Sequence, residues 1–130
     1  MPIQLVTPHI SLGTPLQEAL VILDQLGHPI VMDDDGSLTV ETPDFKVTIY
    51  HQERRVRSVL YDDPLGGTSE EGTREKIDLY LNRYGLLVNW ELRLENGWMR
   101  YWFNPADGAA MVYGIDHDVI RFNEYSQSPG

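Results

Sequence analysis

Asp33-Asp34-Asp35-Gly36 is the stretch of this chain whose residue types and spacing most invite a metal reading. A calcium loop of the EF-hand kind needs oxygen ligands at its first and twelfth positions around a glycine at the sixth. Setting Gly36 at the sixth puts Val31 first and Thr42 twelfth, so the frame fails. The stretch reads instead as an acidic hairpin turn whose glycine supplies a positive φ. Asp116-His117-Asp118 offers three ligand types in a row, but successive strand side chains point to opposite faces and do not converge on one ion. His9, His28 and His51 are scattered among prolines and turns. No HExxH helix, Gly-x-Ser-x-Gly elbow or glycine-rich phosphate loop accompanies them. Glu41 and Glu91 are a carboxylate pair that the strand pattern sets on one sheet face, where such residues are ordinarily solvated. The sequence therefore predicts no catalytic residue, no metal and no cofactor, and a role other than that of an enzyme.

The remaining chemistry is that of contact. Residues 86–125 hold all three tryptophans and read as strands joined by tight turns. Asn96-Gly97, between two alternating runs, is the dipeptide that a two-residue type I′ hairpin favours. Placing Glu95 opposite Trp98 pairs Leu94 with Met99, Leu92 with Tyr101 and Trp90 with Phe103, an apolar face suited to a core. The opposite face then carries Glu91, Arg93, Glu95, Trp98, Arg100 and Trp102. Large aromatics beside carboxylates on a wet face suit an interface with a basic protein, because tryptophan buries much area at small entropic cost. The competing expectations are that a loop, the N-terminal segment or a second copy in a homodimer covers these indoles, or that they cage a cationic small molecule.

Charge and composition narrow the partners. The 130 residues suit one domain, with a formal net charge of −10 and no cysteine, which removes disulfides, thiolate zinc sites and cysteine nucleophiles. Excess negative charge works against nucleic acid and anionic membranes, where positive charge supplies affinity, and favours a basic partner. No apolar run approaches a bilayer span, and the opening MPIQLVTPHI lacks a signal peptide's basic and apolar regions, so a cytoplasmic protein is expected.

Two capped helices and a series of strands position these residues. Residues 3–6 read as a short edge strand and 10–12 as another. Thr14, Pro15 and Gln17 form a capping-box start to a helix whose apolar stripe is Leu16, Ala19, Leu20, Leu23 and Leu26, stopped by Gly27. Strands at 30–32, 37–42, 45–50 and 55–61 follow as a meander. In the last of these Val56 and Leu60 point inward, and Arg55, Arg57 and Tyr61 outward. Thr68 and Glu71 open a second helix with the stripe Ile77, Tyr80, Leu81 and Tyr84, stopped by Gly85. The punctuation of the two halves aligns, Gly27 with Gly85, Gly36 with Gly97, Pro43 with Pro105, Tyr50 with Tyr113, Arg57 with Arg121 and Tyr61 with Tyr125. A single α+β domain over 1–130 is expected, with structural repeats 10–63 and 66–125 and two helices on one face of a long antiparallel sheet.

Ile10-Ser11-Leu12-Gly13-Thr14-Pro15-Leu16-Gln17, followed by Gly27-His28-Pro29, resembles the strand, capped helix and Gly-x-Pro segment of tandem-repeat inhibitors of the β-lactamase inhibitory protein type. The likeness covers about 20 residues, and the second half departs from it in having no proline after Gly85. It implies a non-catalytic module that binds protein partners through the open sheet face. In size and charge the chain also resembles small acidic bacterial immunity proteins. Type III secretion chaperones are a rival likeness, though they end in a helix and this chain is expected to end in a strand.

Overall fold

A computed structural model describes residues 5–63, 70–115 and 118–124. In chain order these form α1 (Leu16–Asp24), β1 (Val31–Met32), β2 (Leu38–Glu41), β3 (Lys46–Gln52), β4 (Arg55–Asp62), α2 (Glu70–Arg83), β5 (Glu91–Glu95), β6 (Met99–Asn104), β7 (Ala109–Gly114) and β8 (Val119–Glu124). The strands make one antiparallel sheet in the order β1-β2-β3-β4-β8-β7-β6-β5. Each helix precedes a meander of four strands, and the two meanders meet along β4 and β8, from the Ser58–Asn123 pair to the Asp62–Val119 pair.

The fold is α+β, with both helices on one face of the sheet. Residues directly opposite one another in a ladder share a face, so the register identifies the covered side. One covered row runs Leu38, Ile49, Val59, Phe122, Met111 and Trp102 across six strands. Ala19 and Leu23 of α1 and Ile77, Tyr80 and Leu81 of α2 are buried in the same apolar cluster as that row. The helical stripes thus lie where their spacing of three and four predicts.

The start of α1 is built differently from a capping box. Pro15 is the N-cap and makes no side-chain cap bond, while the Thr14 hydroxyl donates to the Ser11 carbonyl at 2.6 Å. The reason is a strand-like engagement just upstream. Gly13 N–H donates to the Val56 carbonyl (2.7 Å), Val56 N–H to that of Thr14 (2.9 Å) and Leu16 N–H to that of Arg54 (2.8 Å). Residues 13–16 therefore occupy the edge of β4 that β8, whose ladder stops at Ser58, leaves open. Residues 10–12 form no strand, and neither do residues 5 and 6, the described part of the expected edge strand. The Thr68 cap lies outside the described residues.

Two bulges rewrite the alternation of the strands. In β4 the pairing steps from Tyr50–Ser58 to His51–Val56, leaving Arg57 as the extra residue. Val56 points inward, and after the bulge so do Val59 and Tyr61, while Leu60 turns to the other face. This corrects the expectation of an outward Tyr61 and an inward Leu60, since an inserted residue inverts the period of two. In β5, Leu92 pairs with Trp102 and Leu94 with Tyr101, so Arg93 is the extra residue there.

The tight turns also differ from their sequence signals. The β5–β6 turn is centred on Gly97-Trp98, with the Asn96 side-chain oxygen accepting from the Trp98 (2.9 Å) and Met99 (3.0 Å) amides. Gly97 lacks a positive φ, so the type I′ expectation for Asn96-Gly97 is overturned by an Asx-type turn. The two-residue connection with left-handed φ at both positions is Glu53-Arg54, at 54° and 63°, between β3 and β4. Repetition in element order does not extend residue by residue: Tyr50 lies on the uncovered face and its aligned partner Tyr113 on the helical face.

Candidate functional site

The uncovered face of the sheet is the candidate site, and its residues follow from the same register. One row across it reads Thr39, Thr48, Leu60, Arg121, Val112, Tyr101 and Leu94. A second contains Tyr50, Ser58, Asn123, Ala110, Phe103 and Glu91. The face divides into two kinds of surface. Over β5–β8 it is aliphatic and aromatic, with Arg93 stacked on Phe103 at 5.3 Å and ion-paired to Glu91 at 2.7 Å. Over β1–β3 it sinks into a hollow of about 410 Å³ whose lining includes Asp33, Asp35, Glu41, Thr48 and Tyr50. Arg121 stands between the two, its guanidinium 4.8 Å from the Tyr50 ring and its Nε donating to the Ser58 hydroxyl at 3.3 Å.

Backbone turns and short hydroxyl bonds fix the acidic end. Asp33 accepts from Ser37 and Thr39, each at 3.1 Å, and Asp35 from the Ser37 hydroxyl at 2.6 Å and amide at 2.9 Å. These donors, the Ser37 hydroxyl above all, hold the Asp35 carboxyl below the usual carboxylate range. Lys46 stands opposite Glu41 and Asp62 in the ladder, yet neither carboxylate closes on it to ion-pair distance.

The six residues expected to share a wet face are dispersed. Glu91 and Arg93 belong to the uncovered face. Trp98 is 71% exposed at the tip of the β5–β6 turn. Trp102 faces the helices and packs against the core, and Glu95 and Arg100 pair on that side, their ion pair closing at 2.9 Å. The expected apolar pairs change accordingly: Tyr101, Phe103 and Leu94 look outward, while Trp90, just before β5, is buried and donates its indole N–H to the Leu81 carbonyl at 2.9 Å. The physical cause is the Arg93 bulge, which sets Leu92 and Trp102 on the face opposite to Leu94 and Tyr101; the turn centred one residue later changes partners but leaves each side chain on its face. Alternation alone concealed Tyr101, Val112 and Leu60, because no local signal marks a bulged arginine.

Beneath the sheet lies a second polar assembly. Asp63, buried, accepts from Lys76 (2.8 Å) and from the Tyr80 hydroxyl (2.6 Å), and Thr7 Oγ1 is 2.8 Å from that hydroxyl. Arg83 donates to Thr7 Oγ1 and to the Thr7 and Pro8 carbonyls, while the Tyr61 hydroxyl donates to the Pro8 carbonyl and the Tyr84 hydroxyl to that of Ile10. Burial pushes all three tyrosine hydroxyls up, so they stay neutral and serve as donors rather than as acids or bases. The assembly ties residues 7–10 to α2 and β4, a structural task. Nearby, Ser11 Oγ is 3.3 Å from Nε2 of His9, whose pKa is lowered by burial and by the Arg83 charge. Both groups sit in the N-terminal segment, and no carboxylate among the described residues bonds the His9 ring to orient it as a nucleophile's base would require.

Among the described residues no three histidines or carboxylates are grouped to hold a metal ion. Asp116 and His117 lie outside the described residues. Glu41 and Glu91 are separated by six strand spacings, about 29 Å, too far to act on one substrate atom. No described helix is long and apolar enough to cross a membrane. No protein family model, curated protein or solved structure matches this chain.

Proposed function

We propose that this chain is a cytoplasmic, non-catalytic protein-binding module of immunity or inhibitor type that receives a basic partner on the uncovered face of its sheet. The observation behind the reading is the run Val112, Tyr101 and Leu94, neighbours on the face away from both helices, with Leu60 on the far side of Arg121. Leu94 is exposed and Leu60, Val112 and Tyr101 are half-buried, and apolar side chains grouped on an uncovered sheet face suit a contact surface. The net charge of −10 favours a cationic partner and speeds its encounter. Co-expression with the products of the adjacent genes tests the reading. A partner should co-purify with the native chain and be lost from a Tyr101→Asp, Val112→Asp variant that keeps its helical signal and melting temperature. Retention of the partner by that variant would remove the uncovered face from the reading.

The hollow over β1–β3 favours a second reading, a small organic cation held by carboxylates beside Tyr50. Saturable binding of a quaternary amine that disappears in Asp35→Asn, Glu41→Gln would support it over the first.

A further inference from the structure

We propose that the two halves of the uncovered face read two parts of one partner segment: lysine or arginine side chains over β1–β3, and aliphatic or aromatic side chains over β5–β7. This rests on the protein-binding reading and adds the partner's chemistry and its direction across the sheet. Charge complementarity carries it. Around the hollow and beside it, Asp33, Asp35, Glu41 and Asp62 stand against Lys46, with Arg55 at the opposite end of β4. Over β5–β8, Glu91 and Arg93 cancel in their ion pair, and apart from Arg121 and Asn123, which accepts from Ser58, the remaining face is apolar. The acidic half has donors within it, since Ser37 and Thr39 already bond Asp33, but hydroxyl donors leave the carboxylate charge in place. A uniformly basic partner would waste the apolar half, and a uniformly apolar one would bury the carboxylates unpaired.

A second copy of this chain does not fit the same surface. For two copies face to face, a two-fold axis along the β4–β8 seam would lay each acidic half on the other copy's apolar half, and one across the strands would lay acidic half on acidic half, in both cases desolvating carboxylates without cations. Two chains of charge −10 also repel. Arg121, clamped between Tyr50 and Ser58, marks the boundary between the halves, so the basic part of the segment should lie on the β3 side of it. From β2 to β5 the span is about 29 Å, which an extended segment of about nine residues crosses.

A displayed library of random peptides of about twelve residues, selected on the intact chain, tests this. Enriched peptides should carry lysine or arginine toward one end and aromatic or aliphatic residues toward the other. On labelled protein, they should shift the amide resonances of Thr39 and Thr48 as well as those of Tyr101 and Val112. Asp35→Lys, Glu41→Lys should weaken them at least tenfold and flatten their salt dependence, and Tyr101→Asp should weaken them comparably. Peptides that enrich on this face without basic residues, or that ignore the lysine substitutions, would overturn the two-part recognition while leaving the binding face intact. Failure to enrich any peptide, or peptides that shift only helical-face resonances, would overturn both.

Discussion

The Tyr84 ring lies flat on Phe122, centroids 3.8 Å apart and planes 15° from parallel, while its hydroxyl reaches past the stack to the Ile10 carbonyl at 2.5 Å. One side chain thus joins the sheet, α2's end and the N-terminal segment. Tyr84→Phe keeps the stack and strands the Ile10 carbonyl, for an expected loss of about 1–2 kcal/mol. Phe122→Ala removes a fully buried ring from under Tyr84, Tyr61 and Trp90, and should cost about 3–5 kcal/mol. Urea unfolding of the two variants checks both values and their order.

The buried tyrosines make stability fall at high pH. Tyr61, Tyr80 and Tyr84 have raised pKa values in the folded chain, each chiefly through burial, against about 10 when unfolded. A raised acid contributes fully below the unfolded value and loses its contribution as pH climbs toward the folded one. Above pH ~10 each such hydroxyl should therefore lower the unfolding free energy by about 1.4 kcal/mol per pH unit until it ionises. Spectroscopic titration should show these phenolates appearing together with loss of the fold, and the steepness should drop in Tyr84→Phe.

Gly85 should be sensitive to alanine and Gly97 indifferent to it. A Cβ on Gly85 would overlap the Asn104 amide nitrogen and the Asp107 carboxylate, which are hydrogen-bonded to each other at 2.9 Å on the buried Asn104. Gly85→Ala should cost about 1–3 kcal/mol through overpacking. A Cβ on Gly97 meets nothing within 4 Å, and its φ is not left-handed, so Gly97→Ala should stay within about 0.5 kcal/mol of the native chain. Thermal melts suffice to tell them apart.

Glu53-Arg54 spends stability on its turn. Two side-chain-bearing residues in left-handed backbone cost roughly 1–2 kcal/mol each. Glu53 pairs with Arg57 only at 3.5 Å on the surface, a contact of small worth. The double substitution Glu53→Asn, Arg54→Gly should raise the unfolding free energy by about 1 kcal/mol or more. An unchanged or lowered melting temperature would mean that the turn is held by its backbone bond to Leu16.

The three tryptophans should separate by burial. Trp98→Ala should be nearly silent in denaturant, Trp102→Ala should cost a few kcal/mol through the core it touches, and Trp90→Ala about 3–5 kcal/mol. Trp98 emission should already be red in the folded chain, so the red shift on unfolding should come from Trp90 and Trp102.

What could be read from the sequence was the order of the helices and main strands and the stripes of both helices, because apolar period and glycine stops are local signals, whereas the capping box expected at Thr14 is not formed. Leu38, Val40, Val47 and Ile49 follow simple alternation and are buried as it predicts. The error begins at Arg57 and Arg93, where one inserted residue reverses every side chain beyond it, and neither arginine differs in type from an ordinary exposed strand residue. Thus Tyr61 and Trp102 belong to the core and Tyr101 to the open face. The candidate site was legible as a sheet face and as a charge balance, but its membership depended on cross-strand register, which only the assembled sheet defines. The turn at residues 51–54 was legible, but its left-handed form at Glu53-Arg54 was hidden for a related reason: tertiary bonds from residues 13–16 hold a conformation that its own residues do not favour.

The seam between the meanders also sets a timetable for synthesis. β4 is complete at Asp62, but its neighbour β8 begins only at Val119, so its ladder edge emerges from the ribosome without a mate. At roughly 5–20 residues per second that edge waits for several seconds. During that interval Val59 and Tyr61 lack Phe122 and Ile120 beside them, and the nascent first half is the species most exposed to pairing with a neighbouring polysome's copy.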